Sequence, residues 1–429
     1  MMSHGAGTHP HPSLCPPPHG DPPIKVPWVL LDLHAYVADR ENATSACSEM
    51  SNGKAIRATL CTAPPPLVSY ICVWCPDLPP TDLAMEPTIE AAEADLVLFR
   101  LSLRGYPNRR DYFVYKARGG DGDGGPSLWR LDEADKHILY RRITALLPRR
   151  DVGEAGDGGH FHIAALNLSC DPSANFNLCL YDSMDKKWTT SAVCLDMSCS
   201  HITSKDVIRF AKFDGEPLLY RDIAFVKGRL TVVELHRSSS DCQGWDISSW
   251  SISSPWGEQD DWQKEHTINT SSMIIDDHTA NVELLPTKLQ DNGATLQPSI
   301  VHPTLSLSDS RVVYLMGKVG PREKKALLLS VDMVDTRIQG AAMFDAERML
   351  GCTFIQSRIS NFLAMAPGGR GKMKRPGRFH VRYPNKHRQI GLTMMDGVEF
   401  GPMQHPGGGG AEEQQDTGAE DGDNKMAVD

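Results

Sequence analysis

Short segments of alternating polarity, each bounded by turn residues, constrain the fold of this chain more than any other feature. Phe176–Asp182 (FNLCLYD) puts Phe176, Leu178 and Leu180 on one side and Asn177, Cys179 and Tyr181 on the other. That period of two is what a strand imposes. Asp222–Leu235 (DIAFVKGRLTVVEL) reads as two β-rich arms around Lys227-Gly228, where glycine at the second loop position accepts the positive φ of a tight hairpin. Thr304–Met316 repeats the pattern, with Asp309-Ser310 as its turn, and further strands are predicted at Leu96–Leu103, Tyr112–Lys116, Phe161–Leu168, Asp246–Ile252 and Ala326–Met333. Helical periodicity is sparse. One helix is predicted over Asp132–Leu147, capped by Asp132 and stopped by Pro148.

A weak internal repeat runs through these strands. Asp182 is followed six residues later by Trp188, and Asp332 six residues later by Ile338. In each copy the acid and a polar spacer turn the chain, and the bulky residue re-enters the core. Trp188 is accordingly expected to be a buried anchor. Trp250 and Trp262 mark a third, less regular copy. The two clear copies lie 150 residues apart, which at about 40–50 residues per four-stranded blade predicts three to four blades between them. The expected fold class is all-β, one large propeller-like domain, with a pair of β-sandwiches as the alternative.

Four segments follow from composition. Residues 1–24 are dominated by Pro, Gly and His and read as a disordered arm. Residues 25–366 form the β-rich domain. Residues 367–406 are a Gly-rich basic linker, in which Arg370, Lys372, Lys374, Arg375 and Arg378 are clustered. Residues 407–429 carry seven acids against one base and read as an acidic disordered tail. The tail supplies most of the net charge of −10, so the folded part is near neutral and lacks the basic footprint of a whole-chain nucleic-acid binder.

No secretory signal and no run of 18 apolar residues is legible, so a protein of the cytoplasm or nucleus with reduced thiols is expected, with no membrane contact. The glycosylation triplets at Asn42, Asn167 and Asn269 then carry no meaning. Catalytic and cofactor motifs are incomplete. Gly371-Lys372 is followed by Met373, with Ala366 where a phosphate-binding loop needs its first glycine. Gly119–Gly125 resembles a calcium loop without its closing Glu and reads as a flexible hairpin tip. Cys72 and Cys75 have zinc-type spacing, as do Cys194, Cys199 and His201, but the halves are more than a hundred residues apart, and Cys72 lies in an apolar run. His4, His9, His11 and His19 sit in the Pro-rich arm. The sequence thus names no catalytic, cofactor-binding or metal residue, and no cofactor.

Read in order, several motifs resemble a plant family expanded in grasses, domain of unknown function 1618. They are Pro27–Asp32 (PWVLLD), Ser69–Val73 (SYICV), Ala94–Leu98 (ADLVL), Asp111–Ala117 (DYFVYKA), Ser127–Leu131 (SLWRL), Phe161–Leu168 (FHIAALNL), Leu180–Trp188 (LYDSMDKKW) and Gln356–Leu363 (QSRISNFL). The resemblance implies a β-rich, propeller-like domain, similar to the substrate-recognition halves of some F-box proteins, with its named core near 222–354. It implies no activity. The chain departs from the family at Gly228–Leu235, where a Trp-rich strand gives way to RLTVVEL.

Three functions remain open on this reading. The first is a non-catalytic interaction module with an unidentified protein partner, since strands present loops on a rigid scaffold. The second is a nucleus-directed or nucleic-acid-associated protein using residues 370–388, a stretch whose alternative reading is a solvated linker. The third is an enzyme whose site is assembled across blades. Oligomeric state is not legible.

Overall fold

The computed structural model describes residues 12–104, 110–117, 125–137, 139–141, 143–148, 160–169, 176–193, 220–237, 244–253, 262–275, 278–285, 299–318, 325–345 and 354–363. In chain order the first strands are β1 (Val29–Asp32), β2 (Tyr36–Val37), β3 (Ala46–Glu49), β4 (Ala55–Cys61) and β5 (Val68–Trp74). A meander follows, β6 (Thr88–Glu93), β7 (Leu96–Ser102), β8 (Arg110–Lys116) and β9 (Ser127–Arg130). The next is β10 (Thr144–Pro148), β11 (Phe161–Leu168), β12 (Phe176–Asp182) and β13 (Lys187–Val193). Two more are β14 (Arg221–Val226), β15 (Arg229–Arg237), β16 (Trp245–Ser253), β17 (Gln263–Asn269), and β18 (Ser299–Leu305), β19 (Val312–Lys318), β20 (Lys325–Asp332), β21 (Arg337–Asp345). The last strand is β22 (Phe354–Ser357).

Four of the sheets are sequential antiparallel meanders, β6-β7-β8-β9, β10-β11-β12-β13, β14-β15-β16-β17 and β18-β19-β20-β21. The fifth runs β22-β1-β5-β4-β3, with β2 also on β5. The arrangement is a five-bladed propeller, all-β as the sequence predicts. Blade one contains both ends of the ring. There β22 lies antiparallel to β1, from Val29 opposite Ser357 to Asp32 opposite Phe354, while β1 and β2 run parallel to β5.

Burial follows position in the ring. Strands β7 (LVLFRLS) and β20 (KALLLSVD) are covered on both faces and read as nearly continuous apolar runs. Four apolar cores join neighbouring blades, beside a smaller cluster within blade one. They join blades one and two through Leu60, Ile71, Phe99 and Phe113, and blades two and three through Leu98, Tyr112, Ile163 and Tyr181. They also join blades four and five through Val233, Ile247, Leu315 and Leu329, and blades five and one through Trp28, Leu30, Leu328 and Phe354. Among the described residues no such cluster joins blades three and four. Ile223 and Phe225 of β14 are about half exposed.

The Lys227-Gly228 turn takes φ of 48° and 82°, as its hairpin requires. Three expectations are corrected. Among the described residues of 132–147 there is no α-helix. A single 3-10 turn, Ala134–Lys136, precedes β10, because Leu139 and Leu146 are drawn into the core between blades two and three. Asp182 and Asp332 end the third strands of blades three and five, so two blades, not three to four, separate them. Long inter-blade connections stretch the spacing. Both acids do start equivalent turns: Asp182 accepts from Met184 N, Asp332 from Val334 N, and Lys186 and Thr336 take φ near 50°. Finally, part of the expected N-terminal arm is seated on blade one. Tyr70 Oη donates to the carbonyls of Pro17 and His19, and Ile24 N to Thr62 Oγ1 at 2.8 Å. Residues 1–11 lie outside the described residues.

One side chain ties three blades together. Asp222 on β14 accepts from Leu305 N at 2.8 Å and from Gln356 Nε2 at 2.5 Å. Enclosure of that carboxyl pushes its pKa up to about 6 from 3.8, against the hydrogen bonds that oppose the rise. A raised folded-state pKa makes the neutral form the stabilising one. Its contribution is complete below pH 3.8 and is lost as pH rises through 6. An Asp222→Asn variant should therefore gain on the parent by about 2–3 kcal/mol between pH 4 and pH 7, measured as the difference of two urea-denaturation series. Parallel pH profiles would contradict it.

Candidate binding surface

The face of blade two that meets blade three is apolar in its middle and basic at one edge. Arg100 on β7 and Tyr112 on β8 are register partners, so they share that face, and Arg110 lies two residues before Tyr112 on the same side. Arg100 is almost fully buried, and its Nε lies 2.9 Å from Glu90 Oε1 on β6. Arg141 N donates to Glu90 Oε2 at 3.0 Å and fixes the chain entering β10. Burial raises the Glu90 pKa, and Arg100, the Arg141 amide, Arg141 and Arg110 oppose it. Burial likewise raises the Tyr112 phenol. The Tyr140 ring is 42% exposed, with the guanidinium carbons of Arg100 and Arg110 at 5.5 and 5.8 Å from its centroid, within cation–π reach.

An aromatic row extends from this edge. Trp129 on β9, 41% exposed, stacks on Phe161 at 5.9 Å. Phe161 meets Tyr181, Tyr181 meets Trp188 at 5.1 Å, and Trp188 stacks on His137 at 4.2 Å. The Trp188 indole donates to Asp132 O at 3.0 Å. Trp188 is therefore only half-buried, sealing the junction of blades two and three instead of filling a core. The corresponding Ile338 in blade five is fully buried. The difference is geometric: Ile338 packs inside the core shared with blade four, while Trp188 lies on a strand whose other residues are mostly exposed.

The sequence points to Asp182, Trp188, Asp332 and Ile338, which occupy matching hairpins, but not to Arg100, Arg110, Tyr140 or Arg141. Only the pairs Arg109-Arg110 and Arg141-Arg142 beside tyrosines hint at them in a near-neutral domain. Arg370, Lys372, Lys374, Arg375 and Arg378 lie outside the described residues, as do Gly119–Gly124, Cys194, Cys199 and His201. Cys72 and Cys75 face different clusters, Cys72 with Tyr36 and Tyr70, Cys75 with Met50 and Leu78. Among the described residues no group of three His, Cys, Asp or Glu is placed to hold a metal, and no helix is long and apolar enough to cross a membrane.

Arg100 and Arg110 should behave oppositely on truncation. Arg100→Ala strands a buried carboxylate and should cost about 3–5 kcal/mol in chemical denaturation. Arg110→Ala, half-buried with a ring contact to Tyr140 and a hydrogen bond with the Tyr112 hydroxyl, should cost less than about 1 kcal/mol. Equal losses would mean that Arg110 is part of the core.

No curated protein matches the chain. Residues 168–314, from the end of β11 into β19, match the model of the family described as "Protein of unknown function (DUF1618)", to which this part of the chain is similar.

Proposed function

We propose that the propeller is a non-catalytic protein-interaction module, and that the junction of blades two and three is its contact surface. The observation that carries this reading is the exposure of Trp129 and Tyr140 beside Arg110 on rigid strands. Trp, Tyr and Arg are the residues in which binding energy concentrates at protein interfaces, because each combines a large stackable surface with a polar group. Here the rings are held by stacking on Phe161 and by two guanidiniums, so little side-chain freedom is lost on contact. Arg100 is neutralised by Glu90, while Arg110 has a ring contact and no ion pair among the described residues, which favours a partner with an acidic edge.

The test uses the full chain and a Trp129→Ala/Arg110→Ala/Tyr140→Ala variant of matching thermal stability, each as bait for proximity labelling in its host cell. At least one partner of the parent should be lost with the variant, by more than about tenfold in recovery, as removal of a hot spot requires. Identical partner sets would overturn the placement of the surface.

A further inference from the structure

A second chemically distinctive cluster lies under the N-terminal segment on blade one. Thr59 pairs with Cys72 and Cys61 with Tyr70 across β4 and β5. Cys61 and Cys72 are thus diagonal neighbours on one face, within side-chain reach. Both are buried, at 0% and 1% exposure, in a cluster with Tyr36 and Tyr70. Cys61 ends β4 beyond the residues that pair with β3, so its ladder partner is on β5 alone.

Residues 17–24 cover this pair. Gly20, at φ +86°, passes so close that a Cβ there would lie 2.9 Å from Cys61 Cβ. The hold is polar and local. Tyr70 Oη shares its proton between Pro17 O at 2.8 Å and His19 O at 2.7 Å, and Arg40 Nη2 donates to Pro17 O at 2.8 Å. The His19 ring nitrogen bonds Val68 O at 2.8 Å, and the His19 ring meets Tyr70 edge-on at 5.7 Å.

The two thiols differ from Cys75 nearby. Burial pushes the Cys75 thiol up to about 12, with Met50 Sδ at 3.9 Å, so it packs as an inert hydrophobe. A hydrogen bond with Cys72 holds the Cys61 thiol below its ordinary value, with Tyr70 and Arg40 assisting and burial opposing. A thiol with a neighbouring thiol and depressed pKa is a nucleophile with a resolving partner.

We propose that Cys61 and Cys72 form an oxidisable dithiol whose access is controlled by the docking of residues 17–24, and that a low-molecular-weight disulfide such as oxidised glutathione is its oxidant. The Cys61 thiolate attacks one sulfur of the oxidant, forming a mixed disulfide and expelling one thiolate. The Cys72 thiolate then attacks Cys61 Sγ, forming the intramolecular bond and expelling the second. Two protons leave the cysteines, two electrons pass to the oxidant, and two molecules of small thiol are released.

The experiment treats the full chain with oxidised glutathione, quenches with acid and maps peptides by mass without reduction. The peptides carrying Cys61 and Cys72 should join with a loss of about 2 Da, the two hydrogens removed. His19→Ala, which removes the ring bond to Val68 O and the ring contact with Tyr70 but leaves the groups that depress the Cys61 thiol in place, should speed that loss by about five- to tenfold through easier local opening. Cys72→Ser should stop at a glutathione adduct on Cys61. Exposed Cys47 serves as the control thiol. Cys61 and Cys72 both recovered reduced in the parent while Cys47 carries an adduct would overturn the proposal. Equal rates in the parent and in a folded His19→Ala chain would overturn the role of the covering segment.

Discussion

The ladder between β1 and β22 is the interaction on which the rest of the molecule depends. It pairs residues 29–32 with 354–357 and so joins the two ends of the propeller in one sheet. Loop closure over more than three hundred residues costs conformational entropy that grows only slowly with length, but it must be met by contacts made at the seam. They are made there. Trp28 Nε1 donates to Ser308 Oγ at 3.2 Å, the Trp28 and Tyr314 rings meet at 5.5 Å, and Ser360 Oγ donates to Val26 O at 2.8 Å. Gln356, on the closing strand, reaches the Asp222 carboxylate of blade four. One short strand therefore orders blades one, four and five together.

Buried charge pairs neighbouring strands within blades two and four. Glu90 with Arg100 and Glu234 with Arg221 are close pairs with little exposed surface on the acids, and Lys116 lies 3.7 Å from Asp95. Such pairs add little net stability against apolar residues of equal size, but breaking one is costly. Their consequence here is positional. Glu90 fixes the Arg141 backbone, and with it the Tyr140 ring, at the edge of blade two. The candidate surface is thus set by the same groups that hold two blades in register, which suits a binding face that must not rearrange.

Much of the fold was legible in the sequence, for a physical reason. Where one face of a strand is buried, the period of two survives, and Phe161–Leu168 and Phe176–Asp182 appear at their predicted bounds. The Lys227-Gly228 turn was legible because only a few residue types accept its φ values. The 132–147 segment was not, because spacing that suits a helix also suits a chain that dips twice into a core between blades. The docked part of the N-terminal segment was hidden because backbone carbonyls hold it, and composition does not report carbonyls. The candidate surface was half legible: Trp188 stands out in its repeat, whereas Arg100, Arg110 and Tyr140 come together only when β7, β8 and the entry to β10 are assembled.

Native-state hydrogen exchange on the full chain tests closure of the ring most directly. If the β1–β22 ladder is the closing contact, amides of Val29–Asp32 and Phe354–Ser357 exchange in the slowest class, together with those of Leu96–Ser102 and Lys325–Asp332, because they open only with the whole propeller. Exchange of the ladder orders of magnitude faster than those central strands, as for a fraying end, would show that the blades hold together without it and would contradict this account.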